Sequence, residues 1–250
     1  MFTGFSKDAV DFLTEIRLNN NQAFYETNKQ RYERVVKAPL AALCQELNPI
    51  IEQIDPRLDT RPSRTMSRIR RDTRFTRDKS PFRDHVWLGW RYPNESRGEA
   101  FGLYWGFGPN WLSWGCGSYS TDKPLMDALR LHIRREPDNV RRVFVPLQEG
   151  FAMHGEDYKR ITVPDDVPED LRPLYIKKGF AVEQIPSAAD WELLFSSAMS
   201  ERLAQDLLKL APLQQLMCRL RAQTETAEEA PAEQPVQSTL TVRRADEFDF

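Results

Sequence analysis

Three stretches rich in aromatic residues follow one another closely, and they constrain the fold of this chain more than any other feature. They cover residues 85–92 (HVWLGWRY), 100–107 (AFGLYWGF) and 111–119 (WLSWGCGSY). Aromatic residues favour strands, and the connections at residues 94–98 and 108–110 contain the Gly and Asn residues typical of tight turns. Strands joined by such short turns run antiparallel. The three stretches therefore predict an antiparallel meander.

Residues 65–74 predict a fourth strand of this meander, because their side chains alternate with a period of two. Ser67, Ile69, Arg71 and Thr73 would face one side, and Arg68, Arg70, Asp72 and Arg74 the other. The second of these sides would be polar and open to a ligand. The sheet is therefore expected to centre on residues 65–119.

Apolar residues recur at helical spacing on both sides of the predicted sheet. The helical segments are residues 7–18, 22–36, 40–54, 121–147, 168–178 and 187–220. Prolines should bend or break them at Pro39, Pro49 and Pro212. The predicted fold class is α+β, an antiparallel sheet of about four to six strands flanked by N-terminal, central and C-terminal helices.

The 250-residue chain, with 40% hydrophobic residues, can bury a sizeable core. We expect residues 1–221 to form a single α+β domain. Residues 222–250 carry seven acids, two arginines and two prolines, which predicts an acidic, disordered C-terminal tail. The chain contains no apolar run long enough for a membrane span and no signal-peptide pattern. A cytoplasmic protein with no membrane partner is therefore expected.

Residues 64–84 (RTMSRIRRDTRFTRDKSPFRD) form the most highly charged part of the chain. Eight of their side chains are cationic, and each of the three acids directly follows an arginine. The formal net charge of the whole chain is only −2, so no global field draws it to nucleic acid or membranes. The positive charge is local, and it indicates a site for an anionic partner.

Five cations of this segment are the predicted ligand-binding residues. They are Arg68, Arg70 and Arg74 on one strand face, with Lys79 and Arg83 on the loop that follows. Guanidinium groups offer paired donors that match phosphate oxygens, and lysine adds a point charge. The sequence thus predicts a protein that binds an anionic, phosphate-bearing ligand, nucleotide or nucleic acid. The alternative is that the three acids neutralise the arginines in a structural salt-bridge lattice.

Aromatic side chains of the sheet could supply stacking platforms beside this basic segment. The candidates are Trp87, Trp90, Tyr92, Tyr104, Trp105, Phe107, Trp111 and Trp114. Strand propensity alone also accounts for them as core residues, and that interpretation is favoured. Asn19, Asn20, Asn28 and Lys29 could approach the same site from the N-terminal helices, or the asparagines could act as helix caps.

Two further functions remain open. A metal-dependent phosphoesterase or nuclease would use Asp72 and Asp78 near Lys79 to hold a divalent cation; only this alternative implies a metal, and no other cofactor is indicated. His85, next to Asp84, could serve in acid–base chemistry or be structural. No residue is identified as catalytic. In the third function, a protein partner binds the acidic tail, residues 222–250.

Four blocks of the chain resemble the bacterial and fungal family known as domain of unknown function 2461. They are residues 2–33, residues 69–85 (IRRDTRFTRDKSPFRDH), residues 124–133 (PLMDALRLHI) and residues 174–180 (LYIKKGF). Members commonly have Trp-Phe where this chain has Phe24-Tyr25, and Tyr-Lys where it has Phe82-Arg83. The resemblance implies an α+β domain with a recurrent basic motif over roughly residues 2–215. It implies no reaction, because the family has no established function.

Overall fold

A computed structural model of the chain contains one five-stranded antiparallel sheet, with helices at the N-terminus, centre and C-terminus. The structure describes residues 1–74, 76–93, 95, 100–118, 120–184 and 186–229. The strands are β1 (Val86–Trp90), β2 (Gly102–Gly108), β3 (Trp111–Gly117), β4 (Ala152–His154) and β5 (Ala181–Gln184). Their order in the sheet is β1-β2-β3-β5-β4. The predicted α+β fold class and strand number are confirmed.

The alternation of side chains along the first three strands divides the sheet into a buried face and an open face. Trp90, Trp105 and Trp114 are fully buried on the inner face. Trp87, Tyr104 and the glycines of the same strands lie on the outer face, as the cross-strand register requires. The turn at residues 108–110 is confirmed, whereas most of the predicted turn at residues 94–98 lies outside the described residues.

The N-terminal helices form one long, bent rod after the first helix. Helix α1 is Lys7–Leu18, α2 is Gln22–Tyr32 and α3 is Ala38–Ile54, with a π-helical turn at Glu33–Lys37 between the last two. The turn coincides with Pro39, which has no N–H to give to Val35. The backbone instead bonds across five residues, from the Ala38 N–H to the Glu33 oxygen. The single extra residue per turn is a feature often found at functional sites.

The remaining helices pack on the sheet from the centre and the C-terminus. They are α4 (Pro62–Thr65), α5 (Lys123–Arg135), α6 (Pro137–Phe144), α7 (Arg172–Tyr175), α8 (Ala188–Leu193) and α9 (Ala198–Glu229), with 3₁₀ turns at Val145–Gln148 and Glu169–Leu171. The predicted break at Pro212 is wrong, since α9 continues through it. Pro212 is exposed, and the carbonyl that loses its partner belongs to Leu208, which also faces solvent. Water can therefore replace the missing hydrogen bond.

The strand predicted over residues 65–74 does not form. The segment reaches the sheet through an isolated bridge from Met66 to Leu88 and a hydrogen bond from the Ser67 N–H to the Trp87 oxygen, and Arg70 bridges to Phe82 within the segment itself. The alternation of burial is as predicted, with Ser67 and Ile69 buried and Arg68 and Arg70 exposed. The meander therefore has three strands, because the carbonyls of residues 68 and 70 bind a side chain rather than a neighbouring strand.

Helix α9 runs past residue 222, where the sequence predicts the tail to begin, and its last described residue is Glu229. Residues 230–250, including the acidic terminus, lie outside the described residues, and the domain boundary stays a prediction. Within the described part of the chain, no helix has the length and apolar character needed to cross a membrane.

Candidate anion-binding site

The basic segment folds back on itself as an irregular hairpin beside β1. The Arg71 N–H donates to the Pro81 oxygen over 2.9 Å, and the Arg83 N–H donates to the Ile69 oxygen over 2.8 Å. These two bonds flank the Arg70–Phe82 bridge and bring those side chains to the same face. The hairpin therefore has one side facing α2, another facing β1, and a loop at its tip formed by residues 72–80.

Each of the three acids in the segment is paired with a cation. Asp72 accepts two hydrogen bonds from the guanidinium of Arg74, at 2.9 and 2.7 Å, and these bonds lower the pKa of Asp72 to about 2. Asp78 accepts from Ser80 and from Arg71, in that order of effect, and its pKa also falls to about 2. The predicted salt-bridge lattice is thus present for Arg71 and Arg74.

The third acid, Asp84, pairs outside the segment. One of its oxygens lies 2.8 Å from Nδ1 of His85, and the other lies 3.6 Å from Nε of Arg17 on α1. All three acids therefore have a cationic partner, and the segment still carries more cations than acids. Arg68, Arg77, Lys79 and Arg83 have no carboxylate partner among the described residues.

Two of these cations bind backbone oxygens of the hairpin itself. The Nη1 atom of Arg83 donates to the carbonyls of Arg68 and Arg70, at 3.1 and 2.5 Å, and its Cζ lies 5.0 Å from the centre of the Trp87 ring. Burial is the main reason that the pKa of Arg83 is lowered. Lys79 donates to the Thr73 oxygen at 2.8 Å. Both side chains therefore brace the hairpin.

Arg68 and Arg70 lie on the side of the hairpin that faces α2. The Cζ atom of Arg70 lies 5.6 Å from the Tyr25 ring centre and 5.2 Å from that of Phe82, and the two rings stack with centres 4.5 Å apart. Its nearest carboxylate, Glu26, is 3.9 Å away. The guanidinium of Arg68 makes no ion pair or hydrogen bond with any described residue. This side holds the cations most open to an external anion.

A cleft of about 520 Å³ separates this side of the hairpin from the bent α2–α3 rod. Its lining residues are Tyr25, Tyr32, Glu33, Lys37, Ala41, Pro62, Ser63, Met66, Ser67, Arg68, Ile69 and Arg70. The π-helical turn contributes Glu33 and Lys37, which pair with each other at 2.8 Å. The cleft is thus apolar and aromatic inside, with three cations and one carboxylate in its lining.

The structure divides the five predicted ligand residues rather than bringing them to one point. Arg68 and Arg70 line the cleft, and Arg74, Lys79 and Arg83 do not. The charge pattern of the sequence does not point to Tyr25 and Tyr32, whose positions seven apart on α2 place them on one helix face. Burial, followed by neighbouring charges, raises the pKa of both phenols, so each hydroxyl stays protonated.

Asn20 connects the N-terminal helices to the basic hairpin. Its side-chain Nδ2 donates to the Phe82 oxygen and its Oδ1 accepts from the Phe82 N–H, both at 2.9 Å. The neighbouring asparagines act locally: Asn19 and Asn28 each donate to a carbonyl four residues earlier on their own helix. Asn20 therefore positions the hairpin against the N-terminal helices.

The predicted stacking aromatics fall into two groups. Trp90, Trp105, Phe107 and Trp114 belong to the buried core. Trp87, by contrast, lies outside with His85 stacked on it at 5.5 Å, and Trp111 follows at 5.7 Å from His85 with 40% of its surface exposed. Tyr92 and Tyr104 donate to Asp55 and Glu183, respectively. The core interpretation holds for the first group and for Tyr92, which packs against the core.

The residues named for a metal do not form a cluster. Asp72 and Asp78 are bound to different arginines, and a cation would have to displace both. Across the described ranges, no group of three or more His, Cys, Asp or Glu side chains is arranged to hold a metal ion.

Comparison with known families gives one finding. Residues 8–216 match the family described as conserved hypothetical protein, DUF2461. No curated protein matches the chain. The match spans more than half of the 250 residues and includes the cleft and the basic hairpin.

Proposed function

We propose that this chain, which belongs to the DUF2461 family, is a cytoplasmic protein that binds a phosphate-bearing ligand, nucleotide or nucleic acid. The observation that carries the proposal is the position of Arg68 and Arg70 at a cleft of about 520 Å³. Arg68 has no carboxylate partner in the described residues, and Arg70 has only Glu26 at 3.9 Å. An external anion can therefore bind both guanidiniums without first displacing a close ion pair.

The other three predicted residues support the site in a different way. Arg83 fixes the carbonyls of residues 68 and 70, so it sets the backbone from which the two ligand-facing arginines extend. Arg74 and Lys79 lie on the loop, where Lys79 adds positive charge and the charge of Arg74 is largely balanced by Asp72. We assign Arg68 and Arg70 to direct contact, and Arg74, Lys79 and Arg83 to the shape and field of the site.

Thermal-shift measurements at low and high salt test this function, with inorganic phosphate, polyphosphate, nucleotides and oligonucleotides as probes. A ligand that binds the native state raises the melting midpoint, and a contact that is mainly electrostatic weakens as salt rises. We expect stabilisation by at least one probe in the wild type. The double variant Arg68→Ala/Arg70→Ala should lose that stabilisation.

A matched control separates this site from general attraction to positive charge. Arg142 and Arg160 are exposed, with no ion pair to the described residues. The variant Arg142→Ala/Arg160→Ala removes the same amount of charge at positions distant in sequence from the basic segment. The control should bind like the wild type. No stabilisation by any probe, or equal binding by both double variants, would rule out the proposed site.

Two further measurements, of turnover and of partner capture, test the two alternatives. A phosphoesterase that uses Asp72 and Asp78 requires a divalent cation, so turnover of a phosphate ester would depend on Mg²⁺ and disappear in Asp78→Asn. A partner for the acidic tail would be captured by the full chain and lost after deletion of residues 230–250, while phosphate binding would be unchanged.

A further inference from the structure

Tyr25 and Tyr32 line the cleft with hydroxyl groups that have no hydrogen-bond partner in the described part of the chain. The two residues are largely buried, at 7% and 4% exposed. Their hydroxyl oxygens are not enclosed, since neither belongs to the buried polar atoms that lack a hydrogen bond. Each hydroxyl therefore reaches solvent and can donate to an acceptor on a ligand in the cleft.

The rest of the cleft favours a ligand with a flat, largely apolar body. Ala41, Pro62, Met66 and Ile69 complete its walls. Its volume of about 520 Å³ lies in the range of pockets for small organic molecules and exceeds what a phosphate group alone would occupy. The two arginines at one side then match an anionic group carried by that body.

We propose that the cleft binds a mononucleotide. Its phosphate would contact Arg68 and Arg70. Its base would lie against Tyr25 and Tyr32 and accept hydrogen bonds from their hydroxyls at a ring nitrogen or a carbonyl oxygen. The proposal rests on the proposed function and narrows it to one ligand class. A purine or pyrimidine combines a planar ring with such acceptors. Polyphosphate has no ring, and the sugar ring of a sugar phosphate is neither planar nor apolar, so neither ligand could pack against the apolar walls.

Isothermal titration with AMP, UMP, ribose 5-phosphate and inorganic phosphate measures what the base contributes. We expect at least one of the two nucleotides to bind 10-fold or more tightly than ribose 5-phosphate. Tyr32→Phe removes one hydroxyl and keeps the ring, and it should weaken nucleotide binding by roughly 3- to 10-fold. Binding of ribose 5-phosphate should stay unchanged.

Tyr32→Phe also distinguishes a ligand-binding hydroxyl from a structural one. Without ligand, its melting midpoint should equal or exceed that of the wild type, because the hydroxyl lost has no partner in the protein. Ala41→Trp tests the cleft from another wall: it fills the space and keeps every cation, so nucleotide affinity should fall to that of ribose 5-phosphate. Ala41→Leu is a smaller obstruction that carries less risk to the fold.

Equal binding of nucleotides and ribose 5-phosphate would overturn the mononucleotide proposal and leave the proposed function intact. An eight-nucleotide single strand that binds more tightly than AMP, and that Ala41→Trp does not weaken, would overturn it in favour of a strand on the surface. If no probe binds, or if Arg68→Ala/Arg70→Ala has no effect on phosphate, the proposed function itself fails.

Discussion

The side-chain amide of Asn20 makes both hydrogen bonds that a neighbouring strand would make with Phe82. The Phe82 side chain is 1% exposed and stacks on Tyr25 in the wall of the cleft. One residue of the connection between α1 and α2 therefore fixes the position of the hairpin against the N-terminal helices.

Replacing Asn20 by alanine should lower the free energy of unfolding by about 1–3 kcal/mol, since it leaves the partly buried N–H and C=O of Phe82 without partners. Asn20→Asp keeps the acceptor and loses the donor, so its effect should be smaller. Urea denaturation at neutral pH measures the difference. Asn19→Ala is the matched control, because Asn19 bonds only to its own helix at an exposed position. A loss no larger than that of Asn19→Ala would contradict the structural role of Asn20.

The run of three asparagines shows what the sequence could not predict at this scale. Asn21 caps α2 by accepting from the Phe24 N–H, as expected for that residue type. Asn19 bonds back to Glu15, and only Asn20 reaches a residue 62 positions away. Local propensity is identical for the three, so their roles depend on tertiary packing that no spacing rule contains.

At the scale of elements, the glycines on the outer face of the sheet differ in how closely other atoms approach them. Gly89 and Gly115 lie in one cross-strand row with Tyr104 between them. A Cβ atom on Gly115 would lie 2.3 Å from the Val182 oxygen and 2.9 Å from the Cα of Glu183, both backbone atoms. A Cβ atom on Gly89 would have its nearest neighbour, on the Trp87 ring, at 3.8 Å.

The two glycines therefore make a matched pair for one substitution. Gly115→Ala should lower the free energy of unfolding by about 1–3 kcal/mol, because β3 and β5 would have to separate. Gly89→Ala should be neutral or stabilising by up to about 1 kcal/mol, since alanine has less freedom in the unfolded chain. Thermal and urea unfolding give both values. Equal effects at the two positions would mean that β3 and β5 are not packed this closely.

Residues 65–74 show how far the sequence predicts an element. The period of two gave the correct exposed and buried sides, because it follows from extended backbone alone. It could not give the hydrogen bonding, which depends on a guanidinium from Arg83 taking two carbonyls. For the same reason the five predicted ligand residues do not meet at one point: Arg68 and Arg70 line the cleft, whereas Arg74, Lys79 and Arg83 do not.

At the scale of the whole molecule, the four blocks that resemble the DUF2461 family meet in two places. The first two blocks meet where Asn20 bonds to Phe82, and they contribute Tyr25, Tyr32, Glu33, Ile69 and Arg70 to the cleft. The last two meet at Arg130, which is 7% exposed and donates to the oxygens of Tyr175 and Lys177, at 2.9 and 2.5 Å. Arg130 also pairs with Asp127 at 2.7 Å on its own helix. Arg130 is thus bound by protein groups, whereas the cleft arginines have no close ion pair, so the cleft is the better candidate for an anion.

The C-terminal boundary of the domain depends on Arg221, just before the predicted tail. Its guanidinium lies 3.3 Å from Glu95 and 2.8 Å from Asp122, and its side chain is 17% exposed. Asp122 in turn caps α5 by accepting from the Leu125 N–H at 3.0 Å. Arg221 therefore connects α9 to the start of α5 and to the connection that follows β1.

A chain that ends at Glu229 should keep the unfolding free energy of the full chain, because it retains the ion pairs of Arg221 with Glu95 and Asp122. A chain that ends at Leu220 should lose about 1–2 kcal/mol, a value between those of exposed and buried ion pairs. Arg221→Ala in the full chain separates the ion pairs from the shortening of α9, and it should reproduce most of that loss. A loss already present in the chain that ends at Glu229 would place residues 230–250 in the folded domain, and the boundary predicted at residue 221 would then be wrong.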